Sequence, residues 1–302
     1  MRTLAGVLPI VQTPFTDDDR IDDDALRREI DWVFAVGADG AGTGMVSELL
    51  RLSVDERRGL AERLVDFTAG RGATFMAVTA ETTRQAVELA RHAERAGCDA
   101  VMAAPPVTAA LSEAALVDHF CALADGIDVP LVVQDASGYI GRPIPLSASV
   151  RLLDRFGPDK LWFKPEASPL GPNLSALRDA TGGRARIFEG SGGIGLVDAF
   201  RRGIVGTMPG VDLLDGITPL WRALQQGDDA AAYRLSFPIA AVTALQLQAG
   251  LDGFLAIEKY ILVRRGIFTS ARRRAPYGWE LDAETAAEVD RLLDQLHRAS
   301  AT

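Results

Sequence analysis

Leu161-Trp162-Phe163-Lys164-Pro165-Glu166 runs three apolar side chains into one lysine and then a proline. A short apolar run closed by proline reads as a buried strand ending at Lys164, because proline has no N–H for the next ladder position. That end of a strand is a costly place for a charge, since an ammonium removed from water without a partner is disfavoured. Desolvation favours the neutral amine, and a neutral amine is the nucleophile of Schiff-base chemistry. The ordinary alternative is a lysine with a buried stem and a head that reaches water. Of 32 Lys+Arg in the chain, three are lysine: Lys160, Lys164 and Lys259. Where nearly every basic position has become arginine, a lysine kept at a strand end carries information.

Outward from that strand, the chain repeats one unit. Gly6–Val11 reads as a strand, and Asp22 or Asp23 caps a helix carrying Leu26, Ile30 and Val33 at helical spacing. Ser53 and Glu56 have the spacing of a capping box. Strands are expected at 39–43, 73–78, 99–103, 129–133, 160–164, 186–189 and 203–207, each followed by a helical pattern. Eight strand–helix units in about 225 residues fit a closed (β/α)8 barrel. An open doubly wound sheet would carry a glycine fingerprint after its first strand, and the first turn here is Gln12-Thr13-Pro14-Phe15. Residues 1–225 are therefore read as an α/β TIM barrel, and residues 226–302 as a C-terminal helical extension of the same unit. The stretch 228–248, rich in Ala and Leu, should pack on the barrel or on another subunit.

Barrel active sites lie at the C-terminal ends of the strands. Lys164 ends the sixth strand, Lys160 begins it on the stability face, and Lys259 falls within a helix. Strand alternation turns Asp135 away from Gln134.

The totals exclude several classes. A net charge of −9 speaks against a nucleic-acid footprint, which needs a basic face. No apolar run approaches the length of a membrane span, and residues 1–15 carry no signal-peptide pattern. Cys98 and Cys121 are too few for a disulfide framework and read as small buried hydrophobes in a cytoplasmic protein. His92, His119 and His297 fall in helical segments on the outside of the barrel, away from strand ends, so no metal site and no cofactor are expected. Glu48, Glu166 and Glu189 lie near strand ends, where capping loop amides or holding other polar groups is the ordinary role.

The ordered series Thr13-Pro14-Phe15, Gly44-Met45-Val46-Ser47-Glu48, Phe163-Lys164 with Glu166-Ala167, Gly190-Ser191 and Gly206-Thr207-Met208-Pro209-Gly210 resembles the dihydrodipicolinate synthase / N-acetylneuraminate lyase family over nearly the whole chain. The resemblance implies a Schiff-base lyase, an aldolase or dehydratase. Its substrate would be a 2-oxo acid such as a 2-keto-3-deoxy sugar acid or a pyruvate aldol. It also implies a homo-oligomer, dimer or tetramer. Lys164 would be the nucleophile, with Gln134, at the relay position, as the other catalytic residue. The N–H groups of Val46 and Ser47 would hold the substrate carboxylate, and Gly190, Ser191, Met208 and Tyr139 would contact the substrate.

The departures are specific. The family usually has Gly-Thr-Thr-Gly-Glu where this chain has Gly44-Met45-Val46-Ser47-Glu48, and a relay tyrosine where this chain has Gln134. An amide orients but transfers protons poorly, so acid–base work passes to water, the substrate's carboxylate, Asp135, Glu189 or Tyr139. Pro106-Val107 stands where many members place an interfacial tyrosine, and Tyr139 where the synthases place an arginine. Dihydrodipicolinate synthase activity itself is therefore not expected. Met45, Val46, Pro106 and Val107 would make the mouth apolar, which suits a hydrophobic aldehyde partner or simple loop drift. The other alternative is a member that binds a 2-oxo acid without turnover.

Overall fold

The computed structural model describes residues 4–301. Eight strands, β1 (Gly6–Val7), β2 (Gly40–Gly42), β3 (Ala73–Ala77), β4 (Ala100–Ala103), β5 (Leu131–Asp135), β6 (Leu161–Pro165), β7 (Arg186–Glu189) and β8 (Gly206–Thr207), alternate with helices. These are α1 (Asp23–Ala35), α2 (Val54–Thr68), α3 (Thr83–Ala96), α4 (Glu113–Asp125), α5 (Leu146–Phe156), α6 (Leu170–Ala180), α7 (Leu196–Arg201) and α8 (Leu214–Gln226). All pairings are parallel, in the order β1-β8-β7-β6-β5-β4-β3-β2. The ring closes through a parallel bridge between Ile10 and Gly42, with Val11 N–H donating to Gly42 O at 2.8 Å.

Local chemistry sets the elements close to where the sequence placed them, although β1 and β8 are shorter than the expected 6–11 and 203–207. Asp22 caps α1 through the Ala25 N–H, and Ser53 and Glu56 form the reciprocal capping box of α2. Gly97 closes α3 in the left-handed conformation that glycine adopts without strain. The barrel interior leaves no space at Gly42: a Cβ there would lie 2.3 Å from the Phe75 ring that fills the layer.

β6 runs one residue further than its sequence suggested. Pro165 pairs with Asp135, and the Glu166 N–H donates to Asp135 O at 2.8 Å. In a parallel ladder alternate residues face alternate neighbours. The missing N–H of Pro165 therefore faces β7, where pairing has already ended at Phe163–Ile187.

After the barrel come α9 (Asp229–Leu247), α10 (Gly250–Arg264) and α11 (Ala283–Ser300). α9 packs against α8, α10 and α11, and leaves Phe237 67 % exposed. α10 reaches the barrel mouth. It is fixed there by Lys259, whose Nζ donates to Thr13 O (2.7 Å), Arg272 O (2.8 Å) and the Glu48 carboxylate. Burial pulls the Lys259 amine down to about 8, against the raising effect of Glu48. Lys160 sits at the opposite end of β6 and donates to the Ile127 and Val129 carbonyls. Among the described residues no helix is long and apolar enough to cross a membrane.

Candidate active site

Strand periodicity assembles the centre of the site. Residues two apart on a strand share a face, so Lys164 and Glu166 point the same way, and their side chains pair at 3.3 Å with both nearly buried. Gln134 stands directly beside Lys164 in the β5–β6 register. Its Nε2 donates to Glu166 Oε2 at 2.6 Å and to the Tyr139 hydroxyl at 3.1 Å. The Tyr139 hydroxyl also lies 3.3 and 3.4 Å from the two Glu166 oxygens. The opposite face carries Asp135, whose oxygens accept from the Ser137 and Ile144 N–H groups, as the alternation requires.

Lys164 is thus buried with a partner. In the sequence the Lys164 amine has no assigned partner, its neutral form favoured by desolvation; the structure sets the Glu166 carboxyl 3.3 Å from it. Burial pushes the Glu166 carboxyl above the ordinary carboxylate range, against the pull of Lys164 and of the Gln134 hydrogen bond. Burial, reinforced by Glu166, pushes the Tyr139 phenol well above its usual value, so it is a neutral donor.

These groups face a cavity of about 40 Å³ at the C-terminal mouth of the barrel. Its polar lining is Lys164, Glu166, Tyr139 and Glu258, and its apolar lining is Ile10, Met45, Val46, Met208, Leu251 and Phe254. Glycines 190, 192 and 210 complete it. Gly190 is fixed by contact, since a Cβ there would lie 2.3 Å from Lys164 Cε and 2.7 Å from Glu166 Oε1. A larger cavity of about 310 Å³ lies on the far face of β5 and β6, against α5 and α6, and holds none of the Lys164 network.

Several residues expected at the substrate are placed elsewhere. Ser47 is fully buried; its N–H donates to Gly44 O in a 3-10 turn and its hydroxyl to Val11 O. The N–H groups of that turn with no protein acceptor among the described residues are those of Met45 and Val46, one position earlier than expected. Ser191 is turned onto Glu189, which also accepts from Thr207 Oγ1 at 2.6 Å, so Ser191 braces the β7 turn and does not line the cavity. Gly190, Met208, Val46 and Tyr139 do line it. Pro106 and Val107 do not, and the Val107 N–H is held by Glu81.

Glu48, expected to hold loop amides, accepts the Arg274 N–H at 2.9 Å and pairs with Lys259. His119 is buried between α3 and α4, with Nδ1 2.9 Å from Thr83 Oγ1, where a more superficial position was expected; burial pulls its imidazole down. Two carboxyls that line the cavity were not among the site residues expected from the sequence. Glu166 carried a usable signal, the two-residue spacing from Lys164. Glu258 carried none, because tertiary packing alone brings α10 to the mouth.

A sequence profile of the dihydrodipicolinate synthetase family matches residues 3–155. The chain belongs to this family. Over its full length the chain is similar to the L-2-keto-3-deoxyarabonate dehydratase of Azospirillum brasilense, with 28% identity over 303 residues, 96% of this chain and 95% of the relative. Similarity to the 4-hydroxy-tetrahydrodipicolinate synthase of Agrobacterium fabrum is 29% over 185 residues, 61% of this chain and 58% of the synthase. Among solved structures, a dihydrodipicolinate synthase from Rhodopseudomonas palustris superposes with a TM-score of 0.87 at 26% identity, covering 97% of this chain and 98% of that one. A prophage protein of the family from E. coli K12, solved in complex with pyruvate, shares the fold at a TM-score of 0.88 and 22% identity, covering 98% of this chain and 99% of that one.

Proposed function

We propose that this protein is a Schiff-base lyase that removes water from a 3-deoxy-2-oxo sugar acid, with Lys164 as nucleophile and Glu166 as its acid–base partner. The observation that carries this reading is the buried Lys164–Glu166 pair, 3.3 Å apart, at the C-terminal end of β6 and open to an otherwise largely apolar cavity. Full-length similarity to a dehydratase, against partial similarity to the synthases, supports dehydration over the condensation the synthases' name denotes.

Glu166 takes a proton from the Lys164 ammonium, and the free amine adds to the substrate ketone. Glu166 returns its proton to the hydroxyl of the adduct, which leaves as water and gives a protonated imine whose positive nitrogen draws electrons from the next carbon. The Met45 and Val46 N–H groups, unbonded within the protein, suit the substrate carboxylate. Glu166 then removes a proton from the carbon next to the imine. Gln134 holds the carboxylate for that step, and Tyr139 donates a hydrogen bond to it. In this reading Gln134 is a positioning group, and Glu166 does the work that the relay tyrosine does elsewhere in the family.

The cavity is far below the roughly 300 Å³ and upward of ordinary small-molecule pockets, and Leu251 and Phe254 of α10 form one wall of it. Because α10 supplies that wall, residues 226–302 work with residues 1–225 as one catalytic unit. The exposed Phe237 on α9 supports self-association of the chain. The buried free thiols of Cys98 and Cys121 support a reducing, cytoplasmic setting.

The test is dehydration of a panel of 3-deoxy-2-oxo pentonates and hexonates by the wild type and by Lys164→Ala. Turnover that depends on Lys164 is the expected result. Equal turnover by both would end the proposal.

A further inference from the structure

One polar side chain of the cavity stands outside the Lys164 network. Glu258 comes from α10 and enters over β1 and β8, whereas Tyr139, Lys164 and Glu166 enter from the side of β5 and β6. Its carboxyl lies against Gly210, where a Cβ would sit 2.7 Å from Oε1 and 2.8 Å from Oε2. Gln12, just beyond β1, donates through Nε2 to Glu258 Oε2, and among the described residues no other side chain hydrogen-bonds it. The residue is 2 % exposed. Ile10, Met45, Val46, Leu251 and Phe254, which line the cavity with it, are all apolar.

The groups around Glu258 settle its charge. Burial pushes its carboxyl well above the ordinary range, and Asp212 (after β8) and Glu29 (on α1) push the same way; the Gln12 hydrogen bond and Lys164 oppose them. Burial and the neighbouring carboxylates thus favour the protonated form of this carboxyl, the form that can donate.

We propose that Glu258 is a second catalytic residue of this site: the acid that protonates the hydroxyl leaving from the carbon β to the Schiff-base carbon. The assignment rests on the Lys164 reading and extends it to the other wall of the cavity. In the step itself, Glu166 accepts the proton of the carbon next to the imine, and that C–H pair becomes the enamine double bond. The enamine electrons re-form the imine and a new carbon–carbon double bond as the C–O bond breaks. Glu258 gives its proton to the departing oxygen, which leaves as water. Glu166 is left protonated and Glu258 ionised, and the released water carries the proton back. Two carboxyls on different walls divide the work, base at the C–H carbon and acid at the departing oxygen.

The test separates two half-reactions in wild type, Glu258→Gln and Gly210→Ala. Exchange of pyruvate methyl protons in D2O, followed by NMR, needs Lys164 and Glu166 and no leaving group. Dehydration of L-2-keto-3-deoxyarabonate and related 3-deoxy-2-oxo acids needs both walls. Glu258→Gln should exchange within about twofold of wild type while dehydration falls about 10²- to 10³-fold. Gly210→Ala, whose methyl displaces the carboxyl without altering it, should fall between. Dehydration by Glu258→Gln within fivefold of wild type would overturn the proposal, as would parallel loss of exchange and dehydration. A wild type that exchanges pyruvate protons yet dehydrates none of these acids would also overturn it. A wild type that neither exchanges nor is trapped by borohydride with pyruvate would overturn the Lys164 reading itself.

Discussion

Replacing Glu166 by glutamine keeps volume and one hydrogen-bond acceptor and removes the ability to take a proton. The amide oxygen can still accept from Gln134 Nε2, which now donates to the carboxylate at 2.6 Å, so the β5–β6 wall should persist. What is lost is the base 3.3 Å from Lys164. A positioned acid–base group contributes about 10²- to 10⁴-fold, or about 3 to 5 kcal/mol of barrier. The neighbours should rank below it. Gln134→Leu removes a short bond to a charged group, worth about 1.5 to 3 kcal/mol, hence about a ten- to hundredfold loss. Tyr139→Phe removes contacts of 3.3 and 3.4 Å and should cost less than about tenfold. The assay is deuterium exchange into the pyruvate methyl group, with borohydride trapping in parallel to report imine formation. A Tyr139→Phe loss equal to or larger than that of Glu166→Gln would refute the reasoning and return the relay to a tyrosine.

Gly190→Ala should slow pyruvate trapping at least tenfold while the protein stays folded, because its methyl meets the Lys164 stem and the Glu166 carboxyl; the trapping rate and the thermal midpoint together check this. Lys259→Met removes one of the two cations paired with Glu48, leaving Arg51 at 3.4 Å and the Arg274 N–H, and should destabilise by about 1.5 to 3 kcal/mol, lowering the thermal midpoint by a few degrees. Asp212 has its folded-state carboxyl raised by burial from 3.8 to about 6, against the opposing pull of Arg265. The native state therefore holds more protons than the unfolded chain between those values, and stability from this group falls as pH rises from about 4 to about 6. Asp212→Asn should remove that slope and stabilise the protein at pH 8 by up to about 3 kcal/mol, with little change at pH 4; denaturant unfolding at the two pH values measures it.

The barrel was legible because a (β/α)8 chain repeats one local pattern, and the repeats carry their own start and stop signals, such as Ser53 at a helix start and Gly97 and Gly157 at helix ends. Lys164 was legible because a cation at the end of a buried strand conflicts with burial, and such conflicts mark sites. Asp135 was rightly turned outward by the two-residue period, yet the same period places Glu166 beside Lys164 and was not applied to it. Ser47 and Ser191 were over-read: a hydroxyl in a tight turn satisfies the backbone as readily as a ligand, and here Val11 O and Glu189 claim them. The end of β6 was set one residue early because proline's missing N–H matters only on the side where a ladder continues. Glu258 and the Leu251–Phe254 wall depend on how a late helix docks over the barrel mouth, which no local pattern encodes.

The central claim is that Lys164 forms an imine with a 2-oxo acid. Incubating the protein with pyruvate and borohydride, then weighing the intact chain and mapping its peptides, tests it most directly. The structure predicts one pyruvyl unit per chain, on Lys164, absent from Lys164→Ala, with Lys160 and Lys259 unmodified. An adduct on Lys259, or none on the wild type, would contradict it.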